Sequence, residues 1–276
     1  MTSAPTPPVA SPIQLMSGVF AFLAAALTVL IAVGLLRDFL PEVIGPLVWG
    51  TLSSAVLLVA LRWFLRRDHR SWQAIGLGVE RGSAPRFGGG LLVGLATYAA
   101  TLAVSSMLFG PIRLAPGVTP SLPGLAVVLA GILALAAMEE LAFRSYPLWV
   151  STEALGRWPA QAFIAVAFAL LHVAYGWSVP TVVFGVLPSG LLFGMAAVAS
   201  RGLALPFGIH AGLNLGRWLT SEADGAGPWR LDTTSIDVAM AGRWAHWVGA
   251  SMPLLVGILI WWALARSHRP DRLPDA

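Results

Sequence analysis

Two adjacent glutamates, Glu139 and Glu140, interrupt a run of apolar residues that otherwise has the composition of a membrane span. One ionised side chain at the centre of a helical span costs about 2.5–3.5 kcal/mol on insertion scales. A pair of carboxylates there therefore calls for a polar cavity, a charged partner or a chemical task. A carboxylate in such a place is suited to take a proton from water, because partial desolvation adjusts its basicity.

A partner for one of the two carboxylates lies four residues further along. Glu140 and Arg144 share one helix face at i,i+4 spacing, which suits an ion pair. Glu139 points about 100° away around the same helix. We therefore expect the arginine to neutralise Glu140, while Glu139 faces a cavity with its basicity available.

Three more polar groups fall inside other predicted spans. They are His172 in the fifth span, and His210 and Asn214 in the seventh. His210 and Asn214 are four residues apart and share a face, whereas glycines at four-residue spacing from Gly208 to Gly216 line the opposite face. Small residues at this spacing let a neighbouring helix pack closely, so the polar face is left to line a cavity.

Counting from the predicted turn between spans four and five, at residues 155 and 156, brings these groups to similar depths. Glu139 and His172 are equally distant from that turn, so an antiparallel hairpin places them level. His210 lies only about 12 Å past Gly202 along its helix, whereas each arm of the hairpin is roughly 25 Å long. The three side chains are therefore level only if the hairpin extends about 12 Å beyond the bilayer. Its tip would carry Ser151, Thr152, Glu153 and Arg157.

Amide hydrolysis is the chemistry that suits these side chains, because it needs an activated water and donors for the developing oxyanion. Glu139 is suited to take the proton of the water, and His172 to orient that water and later protonate the leaving amine. His210 and Asn214 are spaced to hydrogen-bond the oxyanion. The competing assignment makes His172, His210 and Glu139 the ligands of a Zn²⁺ ion that carries the water. We favour a site without a cofactor. The alternative is that these polar groups have only a structural role, as an ion pair and as interhelical hydrogen bonds.

The composition defines the class of protein. A chain of 276 residues with 57% hydrophobic and 11% charged residues and a mean hydropathy of +0.77 is a polytopic membrane protein. We predict an all-α bundle of about eight transmembrane helices around an intramembrane polar cavity. The predicted spans are 16–36, 43–65, 88–109, 124–148, 159–176, 179–199, 203–219 and 244–265. Residues 1–15 are predicted to be a disordered tail, 16–266 a single transmembrane domain with a catalytic core at about 124–220, and 267–276 a C-terminal tail, whereas 66–87 and 220–243 are predicted to be loops.

Charge and cysteine usage bear on location and partners. All 17 basic residues are arginine, and an N-terminus inside the cell places twelve of them on the inner side, so we expect both termini in the cytoplasm. A lysine-free, alanine-rich chain is typical of a high-GC bacterium, which points to a bacterial cell membrane. No clustered basic and aromatic patch predicts nucleic-acid binding. The absence of cysteine excludes disulfides and thiolate chemistry.

Three motifs together resemble a known family. They are Glu139-Glu140-x-x-x-Arg144, Phe168-x-x-x-His172 and His210-x-x-x-Asn214, and they are similar to the three signature motifs of the CAAX protease and bacteriocin-processing family of intramembrane endopeptidases, also called the abortive-infection family. The resemblance covers about residues 124 to 220. It implies that Glu139 and His172 activate a water, with His210 and Asn214 at the oxyanion.

The same resemblance implies supporting roles and a class of substrate. Glu140 and Arg144 would be structural support, and Phe168 would form a wall of the site. The substrate would be a peptide or a lipidated peptide, cleaved near the cytoplasmic leaflet of the bilayer. The alternative from another class is a non-catalytic membrane protein that binds or scaffolds a peptide in the same pocket.

Overall fold

The computed structural model of the protein describes residues 10–222 and 227–267, apart from the side chains of Asp38 and of residues 265–267. Within these ranges the chain is helical except for one two-stranded sheet, and seven helical segments are long and apolar enough to cross a membrane. The predicted all-α polytopic membrane fold is confirmed. The helices are α1 (Pro12–Gly34), α2 (Gly45–Arg67), α3 (Ser83–Phe109), α4 (Leu122–Phe143), α5 (Tyr146–Leu155), α6 (Arg157–Ala174), α7 (Val179–Thr181), α8 (Leu187–Ser200), α9 (Ala204–Leu219) and α10 (Val238–Ser267), with 3₁₀ turns at Leu35–Phe39 and Gln73–Ile75 and a π turn at Val182–Val186.

Helix α1 begins at Pro12, earlier than the predicted start of the first span. The Ser11 hydroxyl accepts a hydrogen bond from the backbone N–H of Gln14, and the Gln14 side chain accepts one from the backbone N–H of Ser11. This reciprocal cap, with proline at the first helical position, starts a helix efficiently. Residues 12–15, which we predicted as part of a disordered tail, are therefore helical. Residues 1–9 of that tail and residues 268–276 of the predicted C-terminal tail lie outside the described residues.

The predicted seventh span, 203–219, is a short helix. It is helix α9, which has 16 residues and is not among the seven segments of spanning length. A left-handed turn at Arg201, with φ of 55°, precedes its start, and it ends before Thr220. Its start lies beside the connection between α2 and α3, because the Leu203 N–H donates to the Gly76 carbonyl oxygen, and it leads to residues 229–232, which pair with residues 113–116 after α3. Helix α9 therefore runs alongside α3 from one end to the other.

The predicted span 124–148 is also interrupted. Helix α4 ends at Phe143, and a separate helix, α5, begins at Tyr146. Pro147 lacks the N–H that would bond to the carbonyl of Phe143, and the Ser145 hydroxyl donates back to the carbonyl oxygen of Leu141. The chain turns back after α5 at Leu155 and Gly156, where we predicted the turn.

The tip of this predicted hairpin is only partly exposed. Glu153 and Arg157 are exposed, but Ser151 is completely buried. Ser151 was predicted to lie in the cytosol and is instead part of the α5 face that packs on its neighbours. Helix α5 therefore folds back onto α1 and α6 instead of projecting freely.

Facing glycines pack α3 closely against α9. A Cβ on Gly94 would collide with the carbonyl oxygen of Ile209, and a Cβ on Gly208 with the carbonyl oxygen of Phe87. Only a hydrogen fits at these positions, so the two backbones touch. The predicted packing role of the α9 glycine row is confirmed, and the opposite side of α9, with His210, is turned towards α4 and α8.

A two-stranded antiparallel sheet joins the connection between α3 and α4 to the region 220–243, which was predicted as a loop. Strand β1 (Arg113–Pro116) pairs with β2 (Trp229–Asp232), with Arg113 opposite Asp232. The prediction of a loop over 220–243 is therefore wrong for residues 229–232 and from Val238, where α10 begins. Each strand has only four residues and its partner is distant along the chain, so no local turn signal marks the pairing.

Candidate active site

Glu140 and Arg144 form the ion pair that their spacing predicts. Their closest atoms, Oε1 and Nη1, are 3.5 Å apart, and neither side chain is more than 1% exposed. This distance brings charges together but is too long for a good hydrogen bond. Within the described residues, Glu140 Oε2 and Arg144 Nε and Nη1 have no hydrogen-bond partner. The pair therefore neutralises charge while several polar atoms stay buried and unsatisfied, which is costly.

Helices α6 and α8 enclose the Arg144 guanidinium. It donates a hydrogen bond of 3.3 Å to the carbonyl oxygen of Gly190, and it lies 4.2 Å from the ring centroid of Phe168 and 5.2 Å from that of Phe193. Aromatic faces attract a desolvated cation. Gly190 follows a π turn and Pro188, which interrupts the regular helical hydrogen bonds of this segment. A Cβ on Gly190 would lie only 3.2 Å from the Phe168 ring, so the glycine allows this enclosure to close.

His210 lies between the two carboxylates. Its Nδ1 is 2.9 Å from Glu140 Oε1, and its Nε2 is 3.5 Å from Glu139 Oε2. The imidazole stacks on the Phe193 ring, with centroids 4.6 Å apart and planes inclined by 15°. Because an ionised carboxylate only accepts hydrogen bonds, Nδ1 carries a proton and donates it to Glu140. The contact with Glu140 ties α9 to α4, and it was not predicted, because Arg144 was expected as the partner of Glu140.

The hydrogen bonding of His172 leaves one ring nitrogen available. Its Nδ1 lies 3.0 Å from the backbone carbonyl oxygen of Phe168, one turn earlier in α6. A carbonyl oxygen only accepts, so Nδ1 donates and the neutral imidazole keeps its lone pair on Nε2. Among the described residues, His172 has no carboxylate oxygen within 4 Å. A bridging group is therefore needed for His172 to act together with Glu139.

Phe168 is central to the arrangement, as expected of a wall of the site. Its ring centroid lies 4.6 Å from that of His172 and 6.2 Å from that of His210, both edge to face. One aromatic ring thus separates the two imidazoles and contacts the Arg144 guanidinium at the same time. Its position explains how three motifs from three helices come together.

Asn214, like Glu139, makes no side-chain hydrogen bond among the described residues. It is half-buried, one turn beyond His210 on α9. The i,i+4 spacing keeps its amide on the His210 side of the helix. Of the four predicted catalytic residues, Glu139 and His210 are within ion-pair distance of each other. His172 is related to His210 through the ring of Phe168, which contacts both imidazoles, and Asn214 lies one helical turn beyond His210.

The two glutamates differ in access. The Glu139 side chain is 11% exposed, whereas that of Glu140 is 1% exposed. Glu140 is the closer of the two both to Arg144, at 3.5 Å, and to His210, at 2.9 Å. Glu139 is therefore the carboxylate that a water or a substrate can reach.

A cavity of about 330 Å³ lies beside this cluster, between α3, α8, α9 and α10 and next to β2. None of the predicted catalytic residues lines it. Trp177 lies between the two regions, because its ring is 5.0 Å from the His172 ring and 5.1 Å from the guanidinium of Arg217, which does line the cavity. This cavity is therefore a neighbour of the predicted polar site and not the site itself.

Sequence reasoning missed several groups that shape the site. Phe193 stacks on His210, the Gly190 carbonyl binds Arg144, and Tyr175 and Trp177 pack around His172. Tyr175 and Trp177 follow His172 by three and five residues at the end of α6, so their closeness in sequence was a usable signal. No signal in the sequence marked Phe193 and Gly190, because their contacts depend on how α8 packs against α4 and α9.

A metal ion needs several ligand atoms that converge on one point. Within the described ranges, no three His, Cys, Asp or Glu side chains are arranged to hold one. The alternative ligand set of His172, His210 and Glu139 is therefore not assembled around one point, and the zinc-dependent form of the site stays a prediction.

Comparison with known families agrees with the motifs. Residues 120–216 match the model of the family described as Type II CAAX prenyl endopeptidase Rce1-like. No curated protein matches the chain. The matched segment runs from the start of α4 into α9 and contains all three motifs. It confirms the resemblance to CAAX proteases and supports an integral membrane protease of the CAAX type in general.

Proposed function

We propose that the protein is an intramembrane endopeptidase in which Glu139 and His172 activate a water that hydrolyses a peptide bond. The single observation that carries this proposal is the unequal environment of the two adjacent carboxylates. Glu140 is enclosed by Arg144 and His210, whereas Glu139 keeps partial access and is only loosely paired, at 3.5 Å from His210. A structural ion-pair network has no need of the second carboxylate.

The charge balance of the cluster assigns a role to His210. Two carboxylates and one guanidinium leave one negative charge in a buried site, and a protonated His210 makes the cluster neutral. In that form Nδ1 donates to Glu140 while Nε2–H remains a donor on the side of Glu139. This N–H, with the Asn214 amide one turn further along, is suited to stabilise an oxyanion.

The proposed reaction uses one water and returns every proton. Glu139 accepts a proton from the water as its oxygen bonds to the carbonyl carbon, and the carbonyl oxygen takes up the negative charge. His172 accepts the second water hydrogen at Nε2 as a hydrogen bond and so orients the attacking oxygen. When the C–N bond breaks, the proton held by Glu139 passes by way of His172 to the leaving amine.

The proposed substrate is a peptide, with or without a lipid, in the membrane of a bacterial cell. The distribution of arginines places the α4–α5 break on the cytoplasmic side, so cleavage would occur near the cytoplasmic leaflet. Both termini would then be cytoplasmic. This orientation is part of the proposal. It can be tested by labelling single cysteines introduced at Ser71 and at Thr234, which lie on opposite sides of the bundle.

The test compares cleavage of a membrane-inserted or lipidated reporter peptide by the purified wild type and two variants. We expect Glu139→Gln and His172→Ala each to lower kcat by about 10²–10⁴-fold, as for loss of a general base or its partner. Glu80→Gln, which changes an exposed carboxylate, is the matched control. Equal cleavage by the wild type and both variants, with the fold retained, would reject the assignment.

Two further arms of the same experiment separate the alternatives. A strong chelator is expected to leave the rate unchanged, and a loss restored by Zn²⁺ would favour the zinc-dependent form of the protease. Saturable binding of the reporter with no cleavage by the wild type would favour a peptide-binding scaffold.

A further inference from the structure

Tyr175 has a hydroxyl group that the proposed reaction does not yet use. It caps α6, three residues after His172, and its ring centroid lies 6.0 Å from that of His172. The hydroxyl oxygen is buried and, within the described part of the chain, makes no hydrogen bond. A buried hydroxyl without a partner has lost its hydrogen bonds to water and has gained none from the protein, which is costly and calls for an explanation.

The orientation of the Tyr175 ring is fixed by its neighbours. The ring packs edge to face on Trp49, with centroids 5.3 Å apart, and the Trp49 indole N–H donates a 2.9 Å hydrogen bond to the Leu30 carbonyl oxygen. The backbone N–H of Tyr175 bonds to the carbonyl of Leu171 at 3.0 Å. Because Trp49 and the backbone of Tyr175 are both held in place, the Tyr175 hydroxyl cannot turn towards another partner without disturbing α2 and α6.

Tyr175 also lies within the electrostatic reach of Glu139. Burial raises the pKa of its phenol, and the negative charge of Glu139 raises it further. The hydroxyl therefore keeps its proton at neutral pH and is a donor. A donor without a partner therefore lies on the ring next to His172, whose Nε2 is free, and it senses the charge of the partly exposed Glu139.

We propose that the Tyr175 hydroxyl donates a hydrogen bond to the water that Glu139 and His172 activate. This inference rests on the proposed function. A water has two hydrogens and two lone pairs, so it donates one hydrogen to Glu139 and one to His172 Nε2 and accepts one hydrogen bond from Tyr175. The remaining lone pair is then the only one free to attack the carbonyl carbon. Tyr175 forms and breaks no covalent bond in this step.

The inference is tested with Tyr175→Phe, which removes only the hydroxyl. We expect kcat to fall on the order of tenfold, as for loss of one hydrogen bond, with KM nearly unchanged. Tyr98→Phe is the matched control, because it removes a hydroxyl that bonds to Thr220 instead. Unfolding of each variant is followed in the same detergent.

A second variant distinguishes donation from packing. Replacing Tyr175 by 4-aminophenylalanine keeps the shape of the ring and supplies an N–H donor in place of the hydroxyl. We expect it to recover most of the kcat that Tyr175→Phe loses. Recovery no better than that of the phenylalanine variant would overturn the donor role.

The controls separate this inference from the proposed function. If Glu139→Gln is inactive and Tyr175→Phe has the kcat of the wild type, the protease assignment stands and the role of Tyr175 is overturned. If Glu139→Gln cleaves normally, the proposed function fails and the inference fails with it.

Discussion

Two polar networks meet at the break between α4 and α5, and they handle charge in opposite ways. The buried cluster consists of Glu139, Glu140, Arg144, His172 and His210. The surface network consists of Arg67, Asp68, Arg70, Tyr146 and Glu153. In the surface network the acid–base pairs are in close contact, at 2.7 Å for Arg67 with Asp68 and at 2.5 and 2.7 Å for the two bonds of Arg70 with Glu153.

The buried cluster keeps its charges at longer distances. Glu140 lies 3.5 Å from Arg144, Glu139 lies 3.5 Å from His210, and buried atoms of Glu140 and Arg144 have no hydrogen-bond partner among the described residues. Burial would make tight pairing more valuable here, not less. The surface network thus fastens α2 to α5, whereas under the proposed function the buried cluster holds Glu139 ready for a water and a substrate.

Removing one charge from the buried cluster should have the largest effect on stability. Arg144→Met leaves Glu140 buried without its main cation, and we expect a loss of about 3–5 kcal/mol in the free energy of unfolding. The double variant Glu140→Gln/Arg144→Met removes both charges and should recover much of that loss. Thermal and denaturant unfolding in detergent measure both. If the single variant is as stable as the wild type, the pair is not electrostatically coupled in the way its burial implies.

The same chemical change in each network should separate function from stability. Glu139→Gln is expected to abolish cleavage while changing unfolding little, because the loosely paired carboxylate contributes little to the fold. Asp68→Asn is expected to leave cleavage intact and to lower stability, because it weakens the bonds to Arg67 and Tyr146. Both variants are assayed for cleavage and unfolding side by side. Activity lost through Asp68 alone would contradict the division.

The pH dependence of stability should come partly from Asp68. Burial acts to raise the pKa of this carboxyl, but hydrogen bonds from Arg67 and Tyr146 and the charge of Arg67 outweigh it, so the pKa lies below its ordinary value of 3.8. A depressed carboxyl pKa stabilises the fold above the unfolded value, and that contribution is lost as pH falls through the folded value. The stability difference between wild type and Asp68→Asn should therefore shrink as the pH falls below 3.8. A difference that stays constant from pH 7 to well below pH 3.8 would exclude this source.

Local periodicity was sufficient to predict one ion pair and one packing surface beside the candidate site. The Glu140–Arg144 pair follows from i,i+4 spacing, and the close approach of a neighbouring helix to α9 follows from the row that begins at Gly208. The turn at Gly156 was equally visible. These features depend only on residues within one or two helical turns, so the order of residues along the chain determines them.

Features that depend on how separate helices pack together could not be predicted from the sequence. The stacking of Phe193 on His210 requires the position of α8 relative to α9, which no spacing encodes. The pairing of β1 with β2 joins residues more than a hundred positions apart. The break after Phe143 had a local signal, which is the proline at position 147. A continuous span was nevertheless predicted there, because hydropathy does not show that a proline lacks the backbone N–H.

The smallest expected effect belongs to the most exposed pair of the surface network. The Glu153 side chain is 48% exposed, so its two bonds to Arg70 are screened by solvent. Exposed pairs contribute about 0.2–1 kcal/mol, even with good geometry. Glu153→Gln should therefore lower the free energy of unfolding by no more than about 1 kcal/mol, and by less at high salt, with no effect on cleavage. A larger loss that salt does not reduce would mean that α5 is held by this pair, and the contrast between the two networks would then be one of access to substrate and not of energetic weight.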